Sequence, residues 1–130
     1  MLDHVELHVS DFERSRAFYL QALTALGHVP RKQLSTGMGF GVGQADDAGD
    51  PGGEFWIHQG TPSTPRVHVA FRARNRAEVD AFHRAALAAG GRDNGGPGCV
   101  RNTTRTITAP SSWIPTATTS RRCAITLDNP

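Results

Sequence analysis

HVELHVSDFERSRAFYLQALTALG, residues 4–27, and HVAFRARNRAEVDAFHRAALAAGG, residues 68–91, align on one another with a shift of 64 residues. His4 falls on His68, Val5 on Val69, Leu7 on Phe71, Asp11 on Asn75, Phe18 on Phe82, Ala22 on Ala86, Leu23 on Leu87 and Gly27 on Gly91. In each copy an alternating stretch opens the unit, apolar at Val5, Leu7 and Val9 and again at Val69, Phe71 and Ala73, which predicts a strand with one face on a core. A helix then follows. The first has Ser10 and Glu13 as a capping box, a stripe of Phe18, Ala22, Leu23 and Leu26, and a stop at Gly27. The second has Asn75 and Glu78, a stripe of Val79, Phe82, Ala86 and Leu87, and stops at Gly90 and Gly91.

Beyond the first helix, further strands are predicted over 29–34, 38–42 and 54–58, with the turn-rich GQADDAGDPGG before the last. Module one, 1–62, therefore reads β-α-β-β-β. The repeat asks the same of module two, 65–98 with the tail 99–130, so three more strands are expected after Gly91. The tail fits that expectation poorly. From Cys99 onward it holds eight threonines, against four in the preceding 98 residues, and a single acidic residue, Asp128. Pro110, Pro115 and Pro130, with the paired Arg121 and Arg122, interrupt any apolar alternation.

At 130 residues the chain suits one domain with its own core. A formal charge of +2 with scattered arginines gives no footing for nucleic acid or an anionic membrane. No apolar run approaches the roughly 18 residues that span a bilayer, and MLDHVELHVSDFERS lacks the pattern of a secretory signal, so a cytoplasmic location is expected. Both cysteines, Cys99 and Cys123, lie in the tail, so the patterned part offers no disulfide and no thiolate nucleophile.

Strand alternation puts His4, Glu6 and His8 on one face of the first strand and His68, Ala70 and Arg72 on the equivalent face of its copy. If the copies pair about a pseudo-two-fold axis, their first strands lie side by side in a curved sheet with His4 beside His68. Two imidazoles so placed form half of a site for a divalent metal. His28, after a helix stop, and His83, beside Arg84, are expected at the surface. His58 and Trp56 share a strand face and either line the cleft or cover the core edge. Glu6, between His4 and His8, is either a base or substitute ligand or a solvated strand residue.

DHVELHVSDFERSRAFY and RVHVAFRA resemble the opening and second ligand strands of the vicinal oxygen chelate superfamily, which includes glyoxalases, extradiol dioxygenases, fosfomycin-resistance transferases and bleomycin-binding proteins. The resemblance covers about residues 1–97. It implies an α+β fold of two β-α-β-β-β modules in a curved mixed sheet, the second module incomplete or altered at its C-terminal strands. It also implies a divalent metal, Zn, Fe, Mn or Ni, on His4 and His68. A glutamate from the last strand normally completes that set, but this chain has no glutamate after Glu78.

The tail has a second reading in the neighbouring frame. With GC-rich codons and one base restored after the codon for Gly98, the same bases read GLRPQYHPDYYGAFVLDPDGHNIEAVC. That text resembles the family's ending, with an aromatic strand, a DPDG turn and a glutamate. A one-base deletion near codon 99 is the reading it supports. The resemblance further implies a metal-dependent lyase, isomerase or dioxygenase acting on a small oxygen-bearing substrate, inactive in this chain if the third ligand is required. The metal would act as a Lewis acid, with His8, Arg72, Trp56 and His58 as substrate contacts. The alternative is a metal-free module that sequesters a small ligand. A homodimer is expected from the family's habit.

Overall fold

The computed structural model describes the backbone of residues 2–43, 51–65, 67–95, 104–108, 113–118 and 122–127, and side chains as far as residue 91 except His68 and Ala70. Module one runs β1 (Val5–Val9), α1 (Phe12–Thr24), β2 (His28–Gln33), β3 (Gly37–Val42) and β4 (Phe55–Gln59). Module two runs β5 (His68–Arg72), α2 (Arg76–Ala88), β6 (Arg92–Gly95), β7 (Thr104–Thr108), β8 (Trp113–Thr118) and β9 (Arg122–Leu127). The α+β class and the repeated strand-then-helix opening are those expected. Among the described residues no helix is long and apolar enough to cross a membrane.

Helix α1 starts one residue later than the capping box required. Its N-cap is Asp11, in extended conformation, and the carboxylate accepts from the Arg14 amide at 3.1 Å. A charged acceptor at the positive end of the helix outcompetes the neighbouring Ser10 hydroxyl. Glu13 instead pairs with Arg16 at 3.1 Å. Asn75 caps α2 as expected, accepting from the Glu78 amide at 2.9 Å, while the Glu78 carboxylate accepts from the Arg74 amide at 2.7 Å. That amide bond, with the Arg74 guanidinium, holds the Glu78 carboxyl below its ordinary range. Positive φ at Gly27 (76°) and Gly90 (92°) ends the two helices, a conformation that glycine adopts without penalty.

The stripe of α1 is buried as expected, with Phe12, Ser15 and Tyr19 added to it. On α2 two expectations are overturned. His83, expected at the surface, is 8% exposed, and Leu87, expected in the stripe, is 37% exposed. At about 100° per residue His83 lies roughly 40° around the helix from Val79 and Leu87 roughly 80°, so the histidine faces the core and the leucine its rim. His28 is likewise buried at 8% exposure, because it opens β2 facing inward and sets its ring edge-on to Phe71 at 5.4 Å. Burial holds the His28 imidazole below its ordinary value, with the Glu54 carboxylate pulling the other way.

The two modules keep separate sheets, so the side-by-side placement of the first strands does not arise through backbone pairing. The first sheet is open and mixed, in the order β1-β4-β3-β2, with β1 parallel to β4 and the other pairs antiparallel. The second has the order β5-β9-β8-β7-β6 and every pair is antiparallel. The difference has a topological cause. Module one places three strands after its helix and module two places four, and each hairpin reverses direction, so the closing strand β9 meets β5 head to tail where β4 meets β1 in parallel. The pair that carries His68 is therefore antiparallel. Pro115 falls within β8 opposite Ile125 and outside the β7 register, where a missing amide hydrogen breaks no bond to β7.

Leu7, Val9, Met38, Phe40, Phe55 and Ile57 turn inward from the first sheet onto α1. Tyr19 is fully buried against Phe18 (5.2 Å), Phe55 (5.1 Å) and Phe40 (6.2 Å). Phe71 of β5 meets Phe55 edge-on at 5.0 Å, so one ring from module two docks into the aromatic core of module one. Burying a phenylalanine of this kind contributes about 1.5–3 kcal/mol. The helices α1 and α2 pack against one another and reinforce that joint.

Candidate functional site

With Leu7 and Val9 turned into the core, alternation leaves His4, Glu6 and His8 on the outer face of β1. The parallel register then sets Glu6 opposite Trp56 and His8 opposite His58. On β4, Phe55 and Ile57 are buried while Trp56 and His58 are half-buried on the same outer face. The next strand, β3, places Gly39 opposite Trp56 and Gly37 opposite His58. Neither glycine has a side chain to lift the rings off the sheet. A Cβ at Gly37 would stand 2.5 Å from the His58 ring, and one at Gly39 would stand 2.6 Å from the indole and run into the Gly52 carbonyl oxygen.

Trp56 and His58 consequently lie flat and stack, their ring centroids 5.5 Å apart at 21°. The indole is pinned by its Nε1, which donates to the Gly53 carbonyl at 3.0 Å. Glu6 sits between two imidazoles, with Oε1 3.4 Å from His8 Nε2 and Oε2 3.7 Å from His58 Nε2. His8 rests against Gly60, whose added Cβ would come within 3.0 Å of the ring. The result is a groove of about 310 Å³, open to solvent and lined by His4, Glu6, Leu34, Trp56 and His58.

The turn that leads from β1 into α1 is held by Gln59. Its Oε1 accepts from the Phe12 amide at 2.9 Å and its Nε2 donates to the Ser10 carbonyl at 2.7 Å. One side chain at the end of β4 thereby fixes the end of β1, and with it the position of His8 beside His58.

Of the residues proposed from sequence, the structure brings His4, Trp56 and His58 into one groove and places His8 at its margin. Glu6 lines the groove as well, with its side chain 44% exposed. Arg72 ends β5, exposed, with its backbone opposite Arg122, and is not among the groove-lining residues. His68 opens β5 opposite Thr126, and its side chain is outside those described. Sequence reasoning missed Leu34 and the glycines. The available signal was GMGFG, which alternates Gly37, Gly39 and Gly41 with inward Met38 and Phe40, and so announces a bare strand face.

His4 shows one feature of a metal ligand. Its Nδ1 lies 3.0 Å from the Asp3 carboxylate, the arrangement that keeps the proton on Nδ1 and the lone pair on Nε2. Yet among the described residues no group of three or more His, Cys, Asp or Glu side chains is placed to hold a metal ion. The described donors do not make up a three-ligand centre.

A family model described as the glyoxalase/bleomycin resistance protein/dioxygenase superfamily matches residues 1–113. Among solved structures, a glyoxalase/bleomycin resistance protein from Albidiferax ferrireducens T118 is 27% identical, with 83% of this chain and 88% of that chain covered and a TM-score of 0.62. A candidate glyoxalase from Bacillus halodurans is 23% identical, with 85% and 88% covered and a TM-score of 0.63, and shares the fold. No curated protein matches the chain.

Proposed function

Since the chain belongs to the glyoxalase/bleomycin resistance protein/dioxygenase superfamily, we propose that it binds a small, planar, oxygen-bearing molecule in the groove on the outer face of module one. The observation that supports this reading is the stacked Trp56–His58 pair laid flat over glycines, beside a carboxylate and an imidazole. A floor of fixed rings with a few polar groups at one side is how small-ligand sites combine affinity with orientation. His8 and Arg72 are the further contacts this reading assigns, reached by a ligand that extends toward module two. The assembly it entails is a cytoplasmic homodimer.

The test is calorimetric titration of a panel of planar phenols and carbonyl compounds into the purified chain, repeated with Trp56→Leu. Saturable binding that weakens tenfold or more in the variant supports the site. Binding that survives unchanged in Trp56→Leu removes it.

A second reading, a metal-dependent lyase, isomerase or dioxygenase, draws on the Asp3–His4 pair. A Zn, Fe, Mn or Ni ion would be held by His4 and His68, and would supply Lewis-acid polarisation of a substrate oxygen. Two imidazoles alone hold such an ion weakly. On this reading the glutamate of the restored frame completes the set, and restoring the frame raises metal affinity well above that of the present chain. One equivalent of divalent ion, lost in His4→Ala, favours this reading over the metal-free one. The nucleotide sequence at codons 97–101 tests the displaced frame directly.

A further inference from the structure

Building on the groove as a small-molecule site, the geometry points to a selectivity for planar aromatic cations that carry N–H donors. Among the described residues, five side chains line the groove: His4, Glu6, Leu34, Trp56 and His58. Glu6 is the one acid among them, and among the described residues no lysine or arginine lines the groove to balance it. Its side chain is 44% exposed and its two oxygens stand 3.4 and 3.7 Å from His8 Nε2 and His58 Nε2, both longer than a strong hydrogen bond to a carboxylate. The carboxylate therefore keeps acceptor capacity for a ligand.

The rings point the same way. Trp56 spends its only donor on the Gly53 carbonyl, so what it offers a ligand is its π surface, whose quadrupole attracts positive charge. Stacking with His58 extends that surface toward Glu6. Leu34, 43% exposed, supplies an apolar wall. A flat cation lying against this pair turns an N–H edge to the Glu6 oxygens and satisfies both elements together. A flat anion of the same shape meets the carboxylate with like charge and finds no lining cation among the described residues in compensation.

Benzamidine, benzamide and benzoate share one shape and differ in charge, and are the probes. Each is titrated into the 130-residue chain at pH 7.5 by calorimetry, with the Trp56 indole followed by NMR. Benzamidine is expected to bind at least tenfold more tightly than benzoate, with benzamide between them. Glu6→Gln, isosteric and at an exposed position, should bring benzamidine down to the level of benzamide, and Glu6→Asp should retain the preference. Trp56→Leu should weaken all three. Benzoate binding as well as benzamidine, or an undiminished preference in Glu6→Gln, would overturn the selectivity. Benzoate binding that depends on Trp56 leaves the groove standing as a site and refutes only its charge preference, whereas failure of all three probes removes both.

Discussion

Replacing Gly37 and Gly39 by alanine, one at a time, separates the two constraints that flatten the groove floor. A Cβ at Gly37 meets the edge of the His58 ring at 2.5 Å, about 1 Å inside ordinary contact. That ring belongs to a side chain 25% exposed, so it can swing toward solvent. The loss is its stacking on Trp56, about 0.5–1.5 kcal/mol, offset by the roughly 0.5–1 kcal/mol that alanine regains over glycine in a strand. Gly37→Ala should therefore change stability by less than about 1 kcal/mol while displacing His58. At Gly39 the obstacle is the Gly52 carbonyl oxygen, which is backbone, with the pinned Trp56 ring 2.6 Å away on the other side. Neither can rotate aside, so the turn must move off β3 at a cost of about 3 kcal/mol or more. With a urea m-value of about 2 kcal/mol/M, the two variants should differ in midpoint by about 1 M. Urea melts followed by far-UV circular dichroism measure this, and the double variant Gly37→Ala/His58→Ala should show no penalty from the ring. Equal midpoints for the two alanines, or Gly37→Ala the more damaging, would refute the account of the floor.

Three further outcomes follow from the packing. Because burial depresses the His28 imidazole, the unfolded chain takes a proton below about pH 6.5 that the folded chain refuses. The stability this residue supports is complete above that pH and declines as pH falls toward the depressed folded value, at no more than about 1.4 kcal/mol per pH unit. His28→Phe, which keeps a ring against Phe71, should flatten the acid limb of the Tm–pH profile, and an unchanged limb would count against the assignment. Gln59→Leu leaves the Phe12 amide and the Ser10 carbonyl without their partner and should cost about 1–3 kcal/mol in thermal unfolding. Phe71→Ala opens a cavity beside Phe55 and His28 and should cost about 3–5 kcal/mol, with the NMR shifts of His28 moving as the modules loosen.

Much of the site is written in the alternation of two strands. Once β1 and β4 are recognised, period two alone assigns His4, Glu6 and His8 to one face and Trp56 and His58 to another. It does not say that the two faces adjoin, which depends on β4 running parallel to β1 in one register. The burial of His28 and His83 escaped for a related reason. Composition marks a histidine as polar, while its position on a strand or helix stripe decides that it faces apolar neighbours, and tertiary packing overrides the residue type. The start of α1 at Asp11 was a choice between adjacent caps that only the local backbone could make.

The sequence by itself determined the duplicated strand-and-helix unit, the apolar stripe of α1 and the absence of a glutamate beyond Glu78, because these depend on residue order and short-range periodicity. The tertiary structure decided which faces meet. Parallel pairing in module one brings Glu6 beside Trp56 and His58, whose rings lie over bare glycines of β3, and the fourth strand after α2 turns the corresponding pair in module two antiparallel. Such register and strand direction are set by long-range hydrogen bonding and by the count of reversals between strands. Local sequence does not carry either.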